Sequence, residues 1–424
     1  MKNSIAIIGA GLIGRLIALS LTRQGYTPTL IDKDHKNAKN SAAYAAAGLL
    51  TPLGEAMHCE PNIVQMGIES LTLWPAILAT LEGETFFQQE GAIMVSHSQD
   101  QGDYLQFARY IKTHYLQHCL THLNRVELEA LEPDLGRAFN QGLFLPEEGQ
   151  IDNRKLLTTL ASALDKADIH WLSHTEVVEI KSTIDHTQIR YKTVKVGAES
   201  NQSKVNSFKE NKENKENKRD EYLTKTFDLV IDCRGTGAKP ESSTVNAPNR
   251  KNSNASALTD LRAVRGELFH LFAPNVNISR PIRLMHPRYQ LYIAPKGEGN
   301  FVVGATEIES DDMSPITVRS AMELLSAAYS VHPGFAEANI TQHISQCRPA
   351  FSNNQPKIMM NNHTMHVNGL YRHGFLIAPV ILAQVNELVG MHIKNNVLGV
   401  SEDSHLDFSK LRYAHLIPVT SDIN

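Results

Sequence analysis

Residues 4–14 read SIAIIGAGLIG, and the chain then carries no acidic side chain before Asp32. The apolar run at 4–8 leads directly into glycine, which is typical of a buried strand in a parallel sheet. Residues 15–24 place leucine and isoleucine at helical spacing, and residues 29–31 form a second short apolar run. This opening therefore predicts a strand, a helix and a second strand, the unit from which parallel α/β sheets are built.

The turn from the first strand into the helix has a GxGxxG pattern formed by Gly9, Gly11 and Gly14. The first glycine permits a tight turn, the second lets a pyrophosphate approach the backbone, and the third lets helix and strand pack closely. Asp32 follows at about the 20-residue distance at which an acid contacts the ribose of a dinucleotide. The pattern predicts a dinucleotide site and leaves FAD and NAD open, while the acid makes NADP the least favoured ligand.

Composition narrows the class of protein further. Hydrophobic residues make up 42% and charged residues 20% of the 424 residues, and the formal net charge is -4. These values exclude a wholly disordered chain and argue against a strongly basic nucleic-acid binder. The cysteines are widely spaced and form no CxxC pair, so we expect reduced thiols and neither a zinc site nor a disulfide framework.

Membrane and metal binding are not expected from the sequence. The apolar segment at 376–384 is much shorter than the roughly 20 residues that span a bilayer. The N-terminal apolar run breaks into glycine too early for a signal peptide, so we expect a soluble, cytoplasmic protein. Among the histidines, the pairs His118/His122 and His363/His366 have suggestive spacing, but neither has a third ligand nearby, so we expect no metal site.

Hydrophobic periodicity predicts the remaining elements. Helices are predicted at 62–81, 103–123, 154–166, 315–331 and 379–392, and strands at 226–233, 264–272, 283–294 and 301–304. Residues 198–222, which contain a repeated Lys-Glu-Asn triplet, and residues 239–258 are polar and lack any apolar period. We predict that both are polar surface insertions, and a docking arm is the alternative.

Several short stretches carry a family resemblance. They are 45–52 (AAAGLLTP), 230–237 (VIDCRGTG), 264–267 (VRGE), 291–295 (LYIAP), 303–307 (VGATE), 346–349 (QCRP) and 369–374 (GLYRHG). From the glycine motif onward the chain resembles the FAD-dependent amine oxidases of the D-amino-acid oxidase and sarcosine oxidase group. The runs 260–267 and 286–295 are most similar to glycine oxidases of the thiamine-biosynthesis type.

The resemblance implies an α/β fold, in which a Rossmann-like FAD-binding domain is interleaved with an α+β substrate domain built on a mixed sheet. The FAD-binding domain would comprise residues 1–85, 146–240 and 344–400, and the substrate-binding domain residues 86–145 and 260–343. FAD would be bound non-covalently. The implied cofactor contacts are Gly9, Gly11, Leu12, Ile13, Gly14, Asp32, Lys33, Ala42, Ala43, Ala47, Gly48, Leu49, Val177, Tyr371, Arg372, His373, Gly374, Phe375 and Leu376.

The same resemblance implies a site for the carboxylate of a small amino acid. Arg348 matches the carboxylate-binding arginine of the family, because a guanidinium can hold a carboxylate through two parallel hydrogen bonds. Tyr292 matches a carboxylate-side tyrosine, with a half-buried strand aromatic as the alternative. Arg372 either pairs with the substrate or holds its turn. Glu307 either binds the substrate ammonium or faces outward, and it is not counted among the catalytic candidates.

The implied activity is the oxidative deamination of glycine by hydride transfer to flavin. The acceptor would be O2, and the products would be an imine, then glyoxylate and ammonia, with hydrogen peroxide. Sarcosine and small D-amino acids stay open as substrates. The resemblance also implies a role in thiamine synthesis and a homo-oligomer, of which a tetramer is the form considered. The alternatives are a dehydrogenase that passes electrons to a quinone or carrier, and a flavin-binding scaffold.

Overall fold

The computed structural model describes residues 4–135, 137–194, 221–240, 258–286, 291–398, 408–417 and 419–421. The two predicted polar insertions, 198–222 and 239–258, lie almost wholly outside these ranges. Only their edges at 221–222, 239–240 and 258 belong to the described residues.

The α-helices of this part of the chain are α1 (Leu12–Arg23), α2 (Ala42–Ala45), α3 (Pro61–Leu78), α4 (Gln101–His114), α5 (Arg125–Leu131), α6 (Asn153–Lys166), α7 (Val318–Val331) and α8 (Gly374–Leu398). Local chemistry explains several of their ends. The Asp152 side chain accepts hydrogen bonds from the first backbone N–H groups of α6, and Asn124 and Glu127 form a reciprocal capping box on α5.

The strands are β1 (Ile5–Ile8), β2 (Thr29–Ile31), β3 (Leu49–Leu50), β4 (Phe87–Gln88), β5 (Ala92–Ser96), β6 (Thr121–Asn124), β7 (Gln141–Leu145), β8 (Gly149–Ile151), β9 (His170–Leu172), β10 (Thr175–Ser182), β11 (Thr187–Thr193), β12 (Leu223–Phe227), β13 (Leu229–Asp232), β14 (Arg262–Phe272), β15 (Ile282–Met285), β16 (Leu291–Pro295), β17 (Asn300–Gly304), β18 (Ile308–Glu309), β19 (Asn339–Ala350), β20 (Lys357–Asn361), β21 (Thr364–Asn368) and β22 (Val419–Ser421).

A seven-stranded sheet with the order β22-β20-β21-β13-β1-β2-β9 carries the predicted dinucleotide motif. β1 pairs in parallel with β2 on one side and with β13 on the other. All residues of these three strands are buried, because α1, α3, α6 and α8 pack an apolar core against the sheet. The predicted strand–helix–strand opening is therefore the centre of this layer.

A nine-stranded mixed sheet forms the second layer, with the order β18-β14-β17-β16-β15-β5-β7-β6 and β19 paired to β14. Helix α7 packs on this sheet over a second apolar core. Two three-stranded sheets, β10-β11-β12 and β3-β8-β4, complete the fold. The mixed α/β class predicted from the sequence is observed, and we retain the exact ranges of the two domains as a proposal.

The structure corrects several predicted boundaries. The helix expected at 103–123 ends at His114, because the following residues form β6, which pairs with β7. The single strand expected at 283–294 is a pair of antiparallel strands, β15 and β16. The helix expected from 315 begins at Val318, because the Thr317 side chain caps it by accepting from the Ser320 backbone N–H.

Helix α8 is longer than the short apolar segment that the sequence led us to expect. By length and composition alone, residues 371–394 form the one helix in the described part of the chain that could cross a membrane. However, 67% of its most apolar stretch is buried against other elements of the protein. Packing in the first apolar core, with α1 and α3, therefore accounts for its hydrophobicity.

Candidate active site

The glycine turn after β1 has the close contacts that the motif requires. Gly9 has a φ of +99°, and a Cβ there would lie 2.6 Å from the Cys233 carbonyl oxygen. A Cβ on Gly14 would overlap the Gly9 carbonyl oxygen, so only glycine lets α1 pack at this distance. A Cβ on Gly11 would meet nothing within 4 Å, so the backbone at this point borders open space. That space, at the first turn of α1, is where a pyrophosphate would lie.

Asp32 ends β2 beside this turn. Its carboxylate accepts hydrogen bonds from the backbone N–H groups of Ala10 and Asp34, which fix the acid against the glycine loop. Arg15 braces the same loop from inside, because its buried guanidinium donates to the carbonyl oxygens of Ala10, Leu157 and Lys36. Burial lowers the pKa of Arg15 to about 10. Sequence reasoning missed these contacts of Arg15, because its partners are backbone carbonyl oxygens from three separate segments.

A continuous cavity of about 1030 Å³ runs from the glycine turn to the nine-stranded sheet. Its size is at the upper end of the range for ligand sites, as an extended dinucleotide requires. With the exception of Gly14, which packs inside, every predicted cofactor and substrate residue lines this cavity: Gly9, Gly11, Leu12, Ile13, Asp32, Lys33, Ala42, Ala43, Ala47, Gly48, Leu49, Val177, Tyr292, Arg348, Tyr371, Arg372, His373, Gly374, Phe375 and Leu376.

The middle of the cavity is lined by the turn that contains α2 and β3. Gly48 has a φ of +69°, and a side chain there would overlap the Ile151 carbonyl oxygen. The Asn153 side chain holds the turn by donating to the carbonyl oxygens of Ala43 and Tyr44. Because the side chains here are small and the backbone is held by hydrogen bonds, the cavity surface is flat enough for a planar ring to approach closely.

Arg234 was not among the residues predicted from the sequence. It lies beside Val177, at the end of the cavity where the adenine is predicted to bind. Its guanidinium is held bidentately by the buried carboxylate of Asp232, with both N–O distances at 2.8 Å, and it donates to the Val177 carbonyl oxygen at 3.2 Å. Burial opposes the charge of Asp232, but Arg234 outweighs it and holds the pKa of this carboxyl well below its ordinary value.

The cavity-facing side of the nine-stranded sheet carries Arg348 and Tyr292. Tyr292 on β16 pairs with Gly304 on β17, and a Cβ on Gly304 would lie 2.7 Å from the tyrosine hydroxyl. In the same way, a side chain on Gly266 would overlap the Arg348 guanidinium. The two glycines thus let the phenol and the guanidinium lie flat on the sheet. Arg348 Nη1 donates to the Thr306 carbonyl oxygen at 3.1 Å, and its other donors point to no acceptor among the described residues.

A row of alternating charges borders this surface, and we call the side chains of Arg283, Glu55, Arg372 and Glu307 the ion-pair row. Arg283 donates to one carboxylate oxygen of Glu55. Arg372 lies 2.8 Å from the other oxygen of Glu55 and donates to Glu307 at 3.0 Å. The guanidinium of Arg372 is therefore already paired, which favours its holding role over direct capture of a substrate. Glu307 pairs with Arg372 and lines the cavity, and its side chain is half exposed.

Burial sets the charge state of several groups around the row. Burial opposes the charge of Glu55, but Arg283 and Arg372 outweigh it and hold the pKa of this carboxyl well below its ordinary value. Burial lowers the pKa of His373 and raises the pKa of the Tyr292 and Tyr371 phenols. Glu55 is thus held as a carboxylate, while burial favours the neutral forms of the neighbouring aromatic and imidazole groups.

Glu148 behaves in the opposite way, although it lies next to the row. It accepts a hydrogen bond from the Gly54 backbone N–H at 2.7 Å, and its other oxygen is buried without a partner. Burial raises its pKa to about 8, so this carboxyl is protonated at neutral pH. Neither Glu148 nor the pair of Glu55 and Arg283 was selected from the sequence, because nothing in their spacing shows that they meet.

The histidine pairs with metal-like spacing have other partners. His118 contacts Glu147 and His122 contacts the Tyr104 hydroxyl. His363 contacts backbone carbonyl oxygens and His366 lies 3.3 Å from Asp232. Within the residues that the structure describes, no group of three or more His, Cys, Asp or Glu side chains is placed to hold a metal ion.

Comparison with known proteins decides the family. A family model described as FAD dependent oxidoreductase (DAO) matches residues 4–385. The chain belongs to this family. Its relatives include a protein of Rhizobium etli named as the thiamine biosynthesis oxidoreductase ThiO, which is 33% identical over 90% of this chain and 94% of the relative.

Two further matches extend this relationship. A Nostoc protein named bifunctional ThiO/ThiG is 23% identical over 99% of this chain, which spans only 57% of that longer protein. The crystal structure of glycine oxidase from Geobacillus kaustophilus has the same fold, with a TM-score of 0.73, 20% identity, and coverage of 92% of this chain and 95% of that one. The predicted family, fold class and FAD dependence are thus confirmed, and the protein is an FAD-dependent oxidoreductase.

Proposed function

We propose that this oxidoreductase oxidises a small amino acid, with glycine first, and uses O2 as the electron acceptor. The observation that carries the proposal is the Arg348 guanidinium, which lies flat over Gly266 on the cavity wall with donors left for a ligand. An arginine fork is the side chain best suited to hold a carboxylate in one orientation. The names of the R. etli and G. kaustophilus relatives support the same substrate class and a role in thiamine synthesis.

In this proposal Arg348 and Tyr292 bind the substrate carboxylate. Burial raises the pKa of the Tyr292 phenol, so its hydroxyl keeps its proton and can donate to a carboxylate oxygen. Because both groups lie on a rigid sheet, they fix the position of the Cα–H bond with respect to the cavity. Gly304 and Gly266 have no side chains that would project into the cavity, which leaves room for the substrate between the sheet and the middle of the cavity.

Bound FAD supplies the electron sink that accepts a hydride from Cα. The residues that would hold it are those of the glycine turn, the turn with α2 and β3, and the segment from Tyr371 to Leu376. No protein base is needed in the proposal, because a substrate whose amine has lost its proton to solvent already has the lone pair that forms the imine. The imine would be hydrolysed to glyoxylate and ammonia, or be passed on for thiazole formation.

Two further expectations from the sequence belong to this proposal. We infer a homo-oligomer, for which a tetramer is the form to test, and a cytoplasmic location. A dehydrogenase would share the same carboxylate site, so the acceptor has to be measured.

The test is a peroxide assay of the FAD-loaded protein with glycine, sarcosine, D-alanine and D-proline. We expect peroxide with glycine, and we expect Arg348→Ala to raise KM for glycine by a factor that corresponds to about 2–3 kcal/mol. Arg262→Ala is the matched control, because Arg262 lies on the adjacent strand but pairs with Glu309 away from the cavity. Substrate-dependent dye reduction without peroxide would replace the oxidase by a dehydrogenase, and an unchanged KM in Arg348→Ala would refute the binding role.

A further inference from the structure

The guanidinium of Arg348 is oriented from a single point of the protein. Its Nη1 donates to the Thr306 backbone carbonyl oxygen at 3.1 Å, and no other hydrogen bond to the described residues holds the guanidinium. Thr306 lies between β17 and β18, beyond the end of regular strand pairing at Gly304. The carbonyl must therefore be fixed by other contacts if the guanidinium is to keep one direction.

Three hydrogen bonds tie Thr306 to Glu267 on β14. The Thr306 backbone N–H donates to the Glu267 carbonyl oxygen at 3.2 Å. The Thr306 hydroxyl accepts from the Glu267 backbone N–H at 3.0 Å and donates to the Glu267 carboxylate at 3.1 Å. The proton of this hydroxyl is thus already used within the protein. The position of the Thr306 carbonyl, and with it the direction of Arg348, depends on Glu267.

The Glu267 side chain lies on the face of the sheet that is turned away from the cavity. Side chains alternate between the two faces along a strand, so Arg265 and Glu267 share one face. Gly266, between them, is on the other face, beneath the Arg348 guanidinium. Gly266 lines the cavity, whereas Arg265 and Glu267 do not. Glu267 is fully buried, so it can act on a substrate in the cavity only through another residue.

The Glu267 carboxylate is held as a charge on this far face. Arg265 donates to its Oε1 from Nε at 3.0 Å and from Nη2 at 2.6 Å. Burial opposes the charge, but hydrogen bonds from Ser320, Arg265 and Thr306 outweigh it and lower the pKa of this carboxyl. A hydrogen bond to an ionised acceptor is stronger than one between neutral groups. The carboxylate therefore holds the Thr306 hydroxyl firmly in one position.

We propose that Glu267 is a positioning residue for substrate binding. From the far face of the sheet it fixes the Thr306 carbonyl, and this carbonyl directs the Arg348 guanidinium towards the substrate carboxylate. Without the fixed carbonyl the guanidinium would sample several orientations. The apparent affinity would then fall in proportion to the population of the competent orientation, while a substrate that has bound would react at its usual rate. This inference deepens the proposed function and rests on it.

The Thr306 hydroxyl is the part of this connection that can be removed with the least change of shape. Thr306→Val deletes the hydroxyl, and Thr306→Ser is the matched control that keeps it. In the FAD-loaded enzyme we expect Thr306→Val to raise KM for glycine about 3- to 10-fold, the range for one lost hydrogen bond, with little change in kcat. Thr306→Ser should keep a KM close to that of the wild type.

Glu267→Gln tests the carboxylate itself. The amide has a single oxygen, which the donors of Arg265 require, so its NH2 group faces the Thr306 hydroxyl and leaves it without an acceptor. We expect a higher KM for glycine and little change in kcat, as for Thr306→Val. KM does not depend on how much of the sample is folded, so a partial loss of folded enzyme does not obscure the result. If Glu267→Gln does not fold, the two Thr306 variants decide.

A double-mutant cycle separates positioning from a merely structural role. In an Arg348→Ala background, Thr306→Val should cause no further rise in KM, because the group that the carbonyl positions is absent. An equal rise with and without Arg348, or a KM that is unchanged in Thr306→Val or in a folded Glu267→Gln, would overturn the proposal.

Acetate distinguishes a failure of this proposal from a failure of the proposed function. If the wild type does not oxidise glycine, the proposed function fails, but acetate still offers a carboxylate to Arg348. Titration of the flavin absorption with acetate should then give a weaker Kd for Thr306→Val than for Thr306→Ser. Equal Kd values, or a wild type that does not bind acetate, would overturn the positioning role.

Discussion

The two ends of the cavity are built in different ways. The dinucleotide end is made from backbone, and most of it comes from the contiguous segment between β1 and β2. The substrate end is made from side chains that come from β15, β16, β19 and two separate turns. A binding site made of backbone needs glycines at fixed spacing, so the dinucleotide end can be predicted from a short stretch of sequence. The second end depends on which distant strands become neighbours.

Glycine serves both ends, but for different partners. At the dinucleotide end, Gly14 makes room for the backbone of Gly9. At the substrate end, Gly266 and Gly304 make room for side chains, those of Arg348 and Tyr292. A glycine that contacts backbone cannot be replaced without moving the chain, whereas a glycine beside a flexible side chain leaves that side chain some freedom to adjust. The two ends should therefore differ in how mutation affects them.

The largest effect is expected for Gly14→Ala, because its new Cβ would overlap the Gly9 carbonyl oxygen. We expect a loss of more than about 4 kcal/mol in the free energy of unfolding together with the loss of FAD binding. Gly11→Ala is the matched control. Its Cβ meets no protein atom, so the apoprotein should keep its stability in urea denaturation while FAD affinity falls in a fluorescence titration. Equal stability losses in the two variants would contradict the division of roles within the turn.

At the substrate end, removal of the buried anion of the ion-pair row should have the next largest effect. Glu55→Ala leaves the guanidiniums of Arg283 and Arg372 buried without their shared carboxylate. We expect a loss of about 3 kcal/mol in the free energy of unfolding. The double variant with Arg283→Met should recover part of this loss, which denaturation of the FAD-loaded proteins would measure. A single variant as stable as the wild type would show that the shared carboxylate of Glu55 does not stabilise the fold.

The pH dependence of protein stability tests the charge state of Glu148, which also lies at the substrate end. Burial raises the pKa of this carboxyl from its ordinary value of 4.5 to about 8, so the folded protein binds one more proton than the unfolded chain between these values. Stability therefore falls as pH rises through this window, by up to about 1.4 kcal/mol per pH unit. Glu148→Gln cannot lose a proton, so its stability relative to the wild type should grow from pH 5 towards about pH 8. A constant difference across thermal melts at these pH values would contradict the buried, protonated state.

The smallest effect is expected for Tyr292→Phe. The change removes one hydroxyl and leaves the ring packed over Gly304. We expect KM for glycine to rise by a factor that corresponds to about 0.5–1.5 kcal/mol, with little change in the melting temperature. Steady-state kinetics would check this. A rise in KM as large as that of Arg348→Ala would contradict a role for the hydroxyl that is limited to one hydrogen bond to the carboxylate.

Sequence reasoning could predict the parts of this molecule that depend on local pattern or on motif. Residue spacing alone predicts the βαβ opening, the glycine turn and the position of Asp32. The resemblance to a family predicts Arg348 and Tyr292 as substrate-binding residues. The ion-pair row could not be predicted, because Glu55 and Arg283 are separated by more than two hundred residues and meet only after the two sheets pack. For the same reason, α4 and β6 were merged into one helix, since pairing with β7 overrides the local helical pattern.

Anaerobic mixing of glycine with the FAD-loaded protein tests the central claim most directly, because it needs no assumption about the electron acceptor. The account predicts that glycine bleaches the visible absorption band of the flavin. It also predicts that Arg348→Ala needs a far higher glycine concentration to reach the same bleaching. A band that saturating glycine leaves unchanged in the wild type, or equal glycine dependence in both proteins, would contradict it.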